Sequence, residues 1–297
     1  MNNFSISQLQ QYSGIKAHTI RIWEQRYNAL NPTRTDGNTR YYDNDQLRRL
    51  LNIVSLVNTD YKVSEVCVMP DDKLFRLVKD RLVLKSEENS SEEYFIAQLI
   101  AAGMCYNAIT FEKIFSVCIN KLGLKVTYVK VIYPLLYRIG IMWRSNILPT
   151  AQEHFISNLI RQKLFSKIDK LPQAKTSQDT WLLFLPENEF HEIGLLFSYF
   201  MIRKAGKNVV YLGSSVSLQT VTEAIKEIHP SRLLLFFVHN DEAQVCENYC
   251  NTLTKSFKNL KIYLSGSENL ISKIKKGKSI NWMRSVTELE SELKNTV

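Results

Sequence analysis

The sequence lacks any apolar run long enough to cross a membrane. Its longest apolar runs, Trp181 to Pro186 and Leu233 to Val238, have the length of single strands. The N-terminus also lacks the basic and then apolar segment that marks a secretory signal. We therefore expect a cytoplasmic protein that neither crosses nor enters a membrane.

Cysteine is scarce and shows no paired spacing. The five cysteines are an odd number, none belongs to a Cys-x-x-Cys motif, and most lie in apolar helical runs, which suits a reducing compartment. Cys246 and Cys250 share one predicted helix face, a spacing that can hold a metal, but we interpret them as buried thiols. The sequence also has no zinc cluster, catalytic barrel or nucleophile triad, which argues against an enzyme. The cysteines are Cys67, Cys105, Cys118, Cys246 and Cys250.

Acidic residues are outnumbered, since 38 Lys and Arg stand against 29 Asp and Glu, for a formal charge of +9. A basic chain suits a nucleic-acid partner. Residues 1–60 hold only seven basic against five acidic residues, but between Lys16 and Tyr42 five basic residues stand against two acids. The local placement of charge is therefore more informative than its total. At 297 residues, 45% of them hydrophobic, the chain has room for two or three domains.

The first 30 residues have the pattern of a helix-turn-helix. Ser5 can cap a short helix with apolar residues at Ile6, Leu9 and Tyr12, and Gly14 supplies the turn. A second helix from about Ala17 to Tyr27 follows, with Ile15, Ile20 and Trp23 toward the first helix. Such a helix can enter a major groove. The residues expected on its open faces are His18, Thr19, Arg21, Glu24 and Arg26.

A hairpin is predicted directly after the second helix. Asp36-Gly37 favours a type I′ turn, and the flanking Thr, Arg and Tyr residues suit short strands and phosphate contacts. Residues 4 to about 55 thus resemble MerR-type regulators, on the run from His18 to Tyr27 and on the Pro32 to Tyr42 segment. The resemblance implies a winged helix-turn-helix that grips double-stranded operator DNA as half of a symmetric dimer.

The resemblance also indicates which side chains contact DNA. For any single arginine or tyrosine, a solvated face or a hairpin pair remains an alternative. Lys16-Ala17 departs from the family, which has a capping residue and then proline there, so Lys16 can instead touch phosphate. The predicted DNA-binding residues are Lys16, His18, Thr19, Arg21, Arg26, Arg34, Arg40 and Tyr41.

Beyond the DNA-binding region, the pattern predicts a multidomain α and α/β protein. Residues 43–57 form a helix, a polar stretch marks a boundary, and residues 94–171 are consistent with a four-helix bundle. Apolar runs then alternate with helical stretches, which predicts a flavodoxin-like doubly wound parallel sheet with a ligand at the carboxyl ends of its strands. The predicted domains are residues 1–70, 71–172 and 173–297. The predicted strands are Trp181–Leu185, Val209–Leu212, Leu233–Val238 and Ile262–Leu264.

A histidine with nearby carboxylates follows the first of these strands. His191 can ligate cobalt or another transition metal, and Glu189 or Glu192 can orient its ring. Taken alone, a histidine at a helix start is more often a capping or surface residue. The motif Glu189-x-His191-x-x-Gly194, however, resembles the lower-ligand loop of cobalamin-binding domains, in which the histidine coordinates cobalt.

A second segment is similar to the helical cap of CarH-like cobalamin photoreceptors. Gly140-Ile-Met-Trp143 is followed by Glu153-His154, and in that family the tryptophan and the Glu-His pair lie over the upper face of the cofactor. Taken alone, Trp143 is a core aromatic and Glu153-His154 a polar helix face. The resemblance implies adenosylcobalamin held between the helical bundle and the sheet, with His191 as the metal ligand.

Three positions depart from the cobalamin-binding pattern. His239 lies where a Ser-x-Leu segment is expected, and Ser265-Gly266 replaces a pair of glycines, so the pocket for the nucleotide tail is reshaped. Arg144 stands where light-sensing members often have a histidine. The predicted cofactor-binding residues are Trp143, Glu153, His154, Glu189, His191, Gly194, Ser217, Leu218, His239, Ser265 and Gly266.

These patterns support three hypotheses. The favoured one is a transcriptional repressor that is controlled by adenosylcobalamin and by light. Both set whether it is a dimer or a tetramer, and this oligomeric state sets its affinity for DNA. The alternative keeps the DNA-binding role but gives the C-terminal domain no cofactor and places it under the control of an antagonist protein, which the altered tail pocket favours. A cobalamin-dependent enzyme is the third, and the N-terminal DNA-binding pattern argues against it.

Overall fold

The protein is described by a computed structural model, and two compact units, Met1–Leu159 and Ile160–Val297, account for the chain. The predicted boundaries near residues 70 and 172 divide it more finely and stay predictions. The structure describes residues 4–34, 37–57, 61–74, 76–77, 92–144, 149–174, 179–238, 243–257, 260–274 and 280–294.

The first unit begins with the head, which we define as residues 4–67. Ser5 caps its first helix in a reciprocal box with Gln8, and Gly14 ends that helix at a φ of +74°. The second helix has the predicted bounds, so the local signals for cap, turn and helix are confirmed. The head contains α1 Ile6–Ser13, α2 Ala17–Tyr27, β1 Thr33–Arg34, β2 Arg40–Tyr41, α3 Asn44–Val57 and α4 Val63–Cys67.

The two short strands of the head form an antiparallel pair, with Thr33 opposite Tyr41. Phe4 forms a bridge with Tyr42 beside this pair, so the start of the chain closes over the hairpin. Asp36 lies outside the described residues, and the predicted turn type with it. The function of the hairpin as a wing stays a prediction.

Long helices follow the head. Gly123 interrupts the second of them with a φ of +75°, and a π-helical turn, Tyr128–Ile132, continues directly into the next helix. Their arrangement as a four-helix bundle stays a prediction. Among the described residues, no helix combines the length and apolar character needed to span a membrane. The helices are Glu92–Met104, Ala108–Thr127, Tyr133–Arg144 and Thr150–Asp169.

The second unit contains a five-stranded parallel sheet with the order β4-β3-β5-β6-β7. In chain order this is 2-1-3-4-5, the predicted flavodoxin-like order. The fifth strand was not predicted, because three residues give no apolar run. The strands are β3 Thr180–Pro186, β4 Asn208–Val216, β5 Arg232–Phe237, β6 Lys261–Gly266 and β7 Ile280–Trp282. The principal helices between and after them are Ile193–Lys204, Leu218–Ile228, Ala243–Ser256 and Val286–Lys294.

Apolar side chains from both faces of the sheet form the core of this unit. The central strands are buried along almost their whole length, as expected for parallel strands covered by helices. Cys246 and Cys250 belong to this core, and both are free thiols. The interpretation of these two cysteines as buried thiols is confirmed.

Candidate functional site

The second helix of the head presents an open polar face. Ile20 and Trp23 are buried and Ile15 is half-buried, so the predicted inner face packs as expected. Thr19 is half-buried, which leaves the longer polar side chains as the open face. This face is positively charged, since three of its exposed members are lysine or arginine. Its exposed members are Lys16, His18, Arg21 and Arg26.

Glu24 departs from the predicted pattern, because it is buried and does not lie on an open face. Its carboxylate pairs with Arg40 Nε at 2.9 Å and accepts a hydrogen bond from the Tyr42 hydroxyl at 2.9 Å. Burial and the Glu24 carboxylate raise the pKa of Tyr42. The prediction was wrong because the hairpin returns over this helix turn and supplies polar partners. Glu24 thus fixes β2 on α2.

The hairpin residues differ in how they are held. Arg34 is exposed, and its Nη1 donates to Asn38 Oδ1 at 2.7 Å. Arg40 forms an ion pair with Glu24, and 22% of its side chain is exposed. Tyr41 is half-buried. Arg40 therefore positions the hairpin, while its predicted DNA contact stays a prediction.

Two polar contacts of the head have no signal in the local sequence. Lys16 makes no side-chain cap, and Gln10 Oε1 instead accepts the Ala17 N–H at 2.8 Å, so α1 supplies the missing cap of α2. Arg49 donates to the backbone carbonyls of three residues and to the Asp71 carboxylate at 2.6 Å. Both contacts were missed because the partners lie in different elements, seven positions apart in the first case and 18 to 22 in the second. The carbonyls belong to Ala29, Cys67 and Met69.

In the second unit, His191 and Glu189 form a pair at the carboxyl end of β3. Glu189 is fully buried, and its Oε1 lies 2.6 Å from His191 Nδ1. The same oxygen accepts the N–H groups of Phe190 and His191, and Oε2 accepts the Val238 N–H beyond β5. The carboxylate therefore spans the first and third strands, where the strand order reverses and ligands bind in this fold.

Glu192 does not orient His191. It is buried, its Oε1 lies 2.6 Å from Arg161 Nε, and its Oε2 accepts the Tyr211 hydroxyl at 2.9 Å. Burial, and then the charge of Glu192, raise the pKa of Tyr211. Of the two carboxylates that the sequence offered, Glu189 is the orienting one.

At this edge of the sheet, two glycines allow neighbouring protein segments to pack closely against each other. A Cβ on Gly194 would lie 2.8 Å from the Phe236 ring, so this glycine lets its helix pack on β5. A Cβ on Gly266 would lie 2.0 Å from the Phe237 carbonyl oxygen, and its φ is +125°. Both are required by packing between protein segments.

The remaining residues that were predicted to bind the cofactor at this edge are Ser217, Leu218, Ser265 and His239. Ser217 caps the helix Leu218–Ile228 by accepting the Thr220 N–H, and Leu218 is half-buried. Ser265 is half-buried at the end of β6. His239 lies outside the described residues.

The predicted upper-face residues belong to the first unit. Trp143 is 43% exposed, and its Nε1 donates to Thr150 Oγ1 at 3.2 Å. Glu153 Oε2 lies 2.7 Å from His154 Nδ1, and Ser157 Oγ donates to Glu153 Oε1. The helix Thr150–Asp169 thus presents a joined Glu-His pair near its start. The Arg144 side chain lies outside the described residues.

Comparisons with known proteins show what this chain is similar to. Residues 4–69 match the family described as MerR HTH family regulatory protein. The HTH-type transcriptional repressor CarH of Myxococcus xanthus is 26% identical over 254 residues, covering 85% of this chain and 83% of that protein. The repressor CarA of the same organism is 26% identical over 250 residues, covering 84% and 80%.

A solved structure shows the same fold. The monomethylamine corrinoid protein of Methanosarcina barkeri has a TM-score of 0.54 at 16% identity, covering 69% of this chain and all of that one. This likeness concerns the fold alone. Together, these findings show that residues 4–69 match the MerR-type helix-turn-helix family and that the chain resembles the CarH and CarA repressors over most of its length.

Proposed function

We propose that this chain is a cytoplasmic transcriptional repressor that binds double-stranded operator DNA and carries adenosylcobalamin in its C-terminal region. The cofactor and light determine whether the protein is a dimer or a tetramer, and this oligomeric state determines its affinity for DNA. The observation that carries the proposal is the pair of a buried carboxylate and an exposed imidazole, Glu189 and His191, at the ligand edge of the sheet.

The pair suits an axial metal ligand. Because Glu189 engages Nδ1, the ring is held in one orientation, and Nε2 becomes the nitrogen suited to coordination. The carboxylate is itself held in place by hydrogen bonds from three backbone N–H groups. With 56% of its side chain exposed, His191 can be reached from outside.

Other residues of the chain would hold the cofactor. Trp143 offers an exposed aromatic ring for an adenosyl group, and the Glu153-His154 pair offers polar atoms. At the end of β6, the backbone of Phe237 fills the space beside Gly266, and Ser265 is half-buried, so the nucleotide tail would meet a narrower pocket there. Adenosylcobalamin bound there would supply a cobalt centre that exchanges ligands and a cobalt–carbon bond that light can break.

The head supports the DNA-binding role. Lys16, Arg21 and Arg26 are exposed on or beside α2, and Arg34 is exposed on β1. Such cations bind phosphates and release counterions. Because each added subunit brings another set of contacts, a change in oligomeric state changes DNA occupancy strongly.

One experiment separates this proposal from the cofactor-free alternative. The purified protein is mixed with adenosylcobalamin in the dark and desalted, and its visible spectrum and particle size are measured before and after illumination. Retained colour with a light-dependent size supports the proposal. For the DNA-binding test, a duplex is first selected from a random library for binding to this protein. Protein that stays colourless but still shifts this duplex contradicts the cofactor role and supports a cofactor-free regulator. None of the comparisons supports an antagonist protein.

The axial role of His191 is tested separately. His191→Asn should change the spectrum of bound cobalamin, whereas His229→Asn should not. His229 is an exposed histidine of the same unit that ends the helix Leu218–Ile228 at a φ of +50°, which asparagine tolerates. An unchanged spectrum in His191→Asn would remove the ligand assignment.

A further inference from the structure

The head is attached to the long helices of its own unit at two places. At the first, α3 packs against the helix Glu92–Met104, and Gln98 Nε2 donates to Ser55 Oγ at 2.6 Å with both side chains buried. At the second, α1 contacts the helix Tyr133–Arg144. A head attached at one place can rotate about that place, whereas a head attached at two places has a fixed orientation relative to the long helices.

An ion pair lies at the second attachment. Arg138 Nη2 donates to both carboxylate oxygens of Glu93, at 2.7 and 2.9 Å. Only 10% of the Arg138 side chain is exposed, and its Nη1 is buried without a hydrogen-bond acceptor among the described residues. The Glu93 side chain is 41% exposed, and such a pair is weak evidence for added stability, so we consider its effect on geometry instead.

Gly14 completes this attachment from the side of the head. A Cβ built on Gly14 would lie 2.7 Å from Arg138 Nη2 and 3.1 Å from Glu93 Oε2. The turn between α1 and α2 therefore rests directly on the ion pair. The glycine serves the turn through its φ of +74°, and it also makes room for the guanidinium.

We propose that the Glu93–Arg138 pair beneath Gly14 is a latch that fixes the direction of the helix-turn-helix head on the helix Tyr133–Arg144. Without it, the head stays attached through α3 but pivots there, and α1 separates from the helix. The latch requires no cofactor. Trp143 lies on the same helix as Arg138, so a contact made at Trp143 acts on the element that sets the direction of the head.

Amide hydrogen exchange on the whole chain without cofactor tests the latch. Glu93→Gln and Arg138→Met should each speed exchange of the α1 amides at least about tenfold, because α1 loses its cover. Exchange in β3 and β5 should not change. Glu92→Gln is the matched control, since Glu92 precedes Glu93 on the same helix and pairs with Lys130 at 2.8 Å in an exposed site.

The proposal is overturned if α1 in Glu93→Gln exchanges as in Glu92→Gln, or if exchange rises equally throughout the chain. Glu93→Gln keeps the size of the side chain, so the test holds even if Arg138→Met fails to fold. A double-mutant cycle adds a second measurement. Gly14→Ala should speed α1 exchange by a smaller factor in an Arg138→Ala background than in the natural chain. Equal factors would mean that only the turn is strained, and this result would contradict a latch that acts on Gly14.

Discussion

Glu189 Oε1 lies 2.6 Å from His191 Nδ1, with the carboxylate fully buried and the imidazole more than half exposed. The two residues are separated by one position, yet they face opposite environments. The turn after β3 produces this arrangement by directing the carboxylate toward the N–H of Val238, beyond the neighbouring strand.

Glu189→Gln should lower the free energy of unfolding by about 1–3 kcal/mol, because an amide cannot accept from N–H groups at both of its ends. Its NH₂ group would face the Val238 N–H or the His191 side. Chemical unfolding of the purified variant measures this. Glu187→Gln, at an exposed position of the same loop, is the control and should change stability little. Equal effects of the two changes would contradict the assigned network.

Glu24→Gln should destabilise the head by about 1–3 kcal/mol, since it removes the ion pair with Arg40 and weakens the hydrogen bond from Tyr42. Exchange of the head amides would report the loss, and affinity for a selected duplex should fall with it. Asp45→Asn breaks the exposed pair with Arg48 and should cost less than about 1 kcal/mol. A larger effect of Asp45→Asn would argue against this account.

Arg21→Ala should weaken DNA binding and reduce the slope of log affinity against log salt concentration by about one, provided that its guanidinium neutralises a phosphate. Titration of a selected duplex at several salt concentrations measures the slope. Lys226→Ala removes an exposed cation from the second unit and is the control for total charge. If both variants lower the slope equally, α2 is not the groove-binding surface.

Gly266→Ala should destabilise the second unit by more than about 2 kcal/mol, because the added Cβ would strike the Phe237 carbonyl. Gly206 also has a positive φ, but a Cβ there would meet nothing within 4 Å. Gly206→Ala therefore isolates the backbone effect, expected near 1 kcal/mol. Thermal unfolding compares the two variants, and similar losses would refute the steric explanation.

The five thiols should differ in reactivity. Cys105 is exposed, whereas burial raises the pKa of Cys118 to about 11 and that of Cys250 to about 12. At pH 8 these buried groups hold less thiolate than a free cysteine, so a thiol reagent should modify Cys105 at least about tenfold faster. Cys105→Ser should abolish the fast phase. Its persistence would mean that a buried thiol opens readily.

The sequence predicted elements whose signals are local. Ser5 and Gly14 mark the ends of α1 by their own conformational preferences, and the alternation of apolar runs with helices indicated the parallel sheet. Glu24 was misassigned because its partners lie 16 and 18 residues away. Helix periodicity places a residue on a face, but it does not reveal what later covers that face.

The ligand edge shows the same limit. Spacing alone allowed either Glu189 or Glu192 to orient His191, and the path of the backbone after β3 decides between them. Residues 93 and 138 are separated by 45 positions, so no local pattern indicates their ion pair.

Arg49 has a consequence for how the head tolerates mutation. Three of its acceptors are backbone carbonyls, which every amino acid possesses, so substitutions at Ala29, Cys67 or Met69 leave these acceptors in place. Replacing Arg49 itself removes the donor from all of them at once. These three hydrogen bonds therefore depend on the amino acid at position 49 and not on the side chains that their acceptors carry.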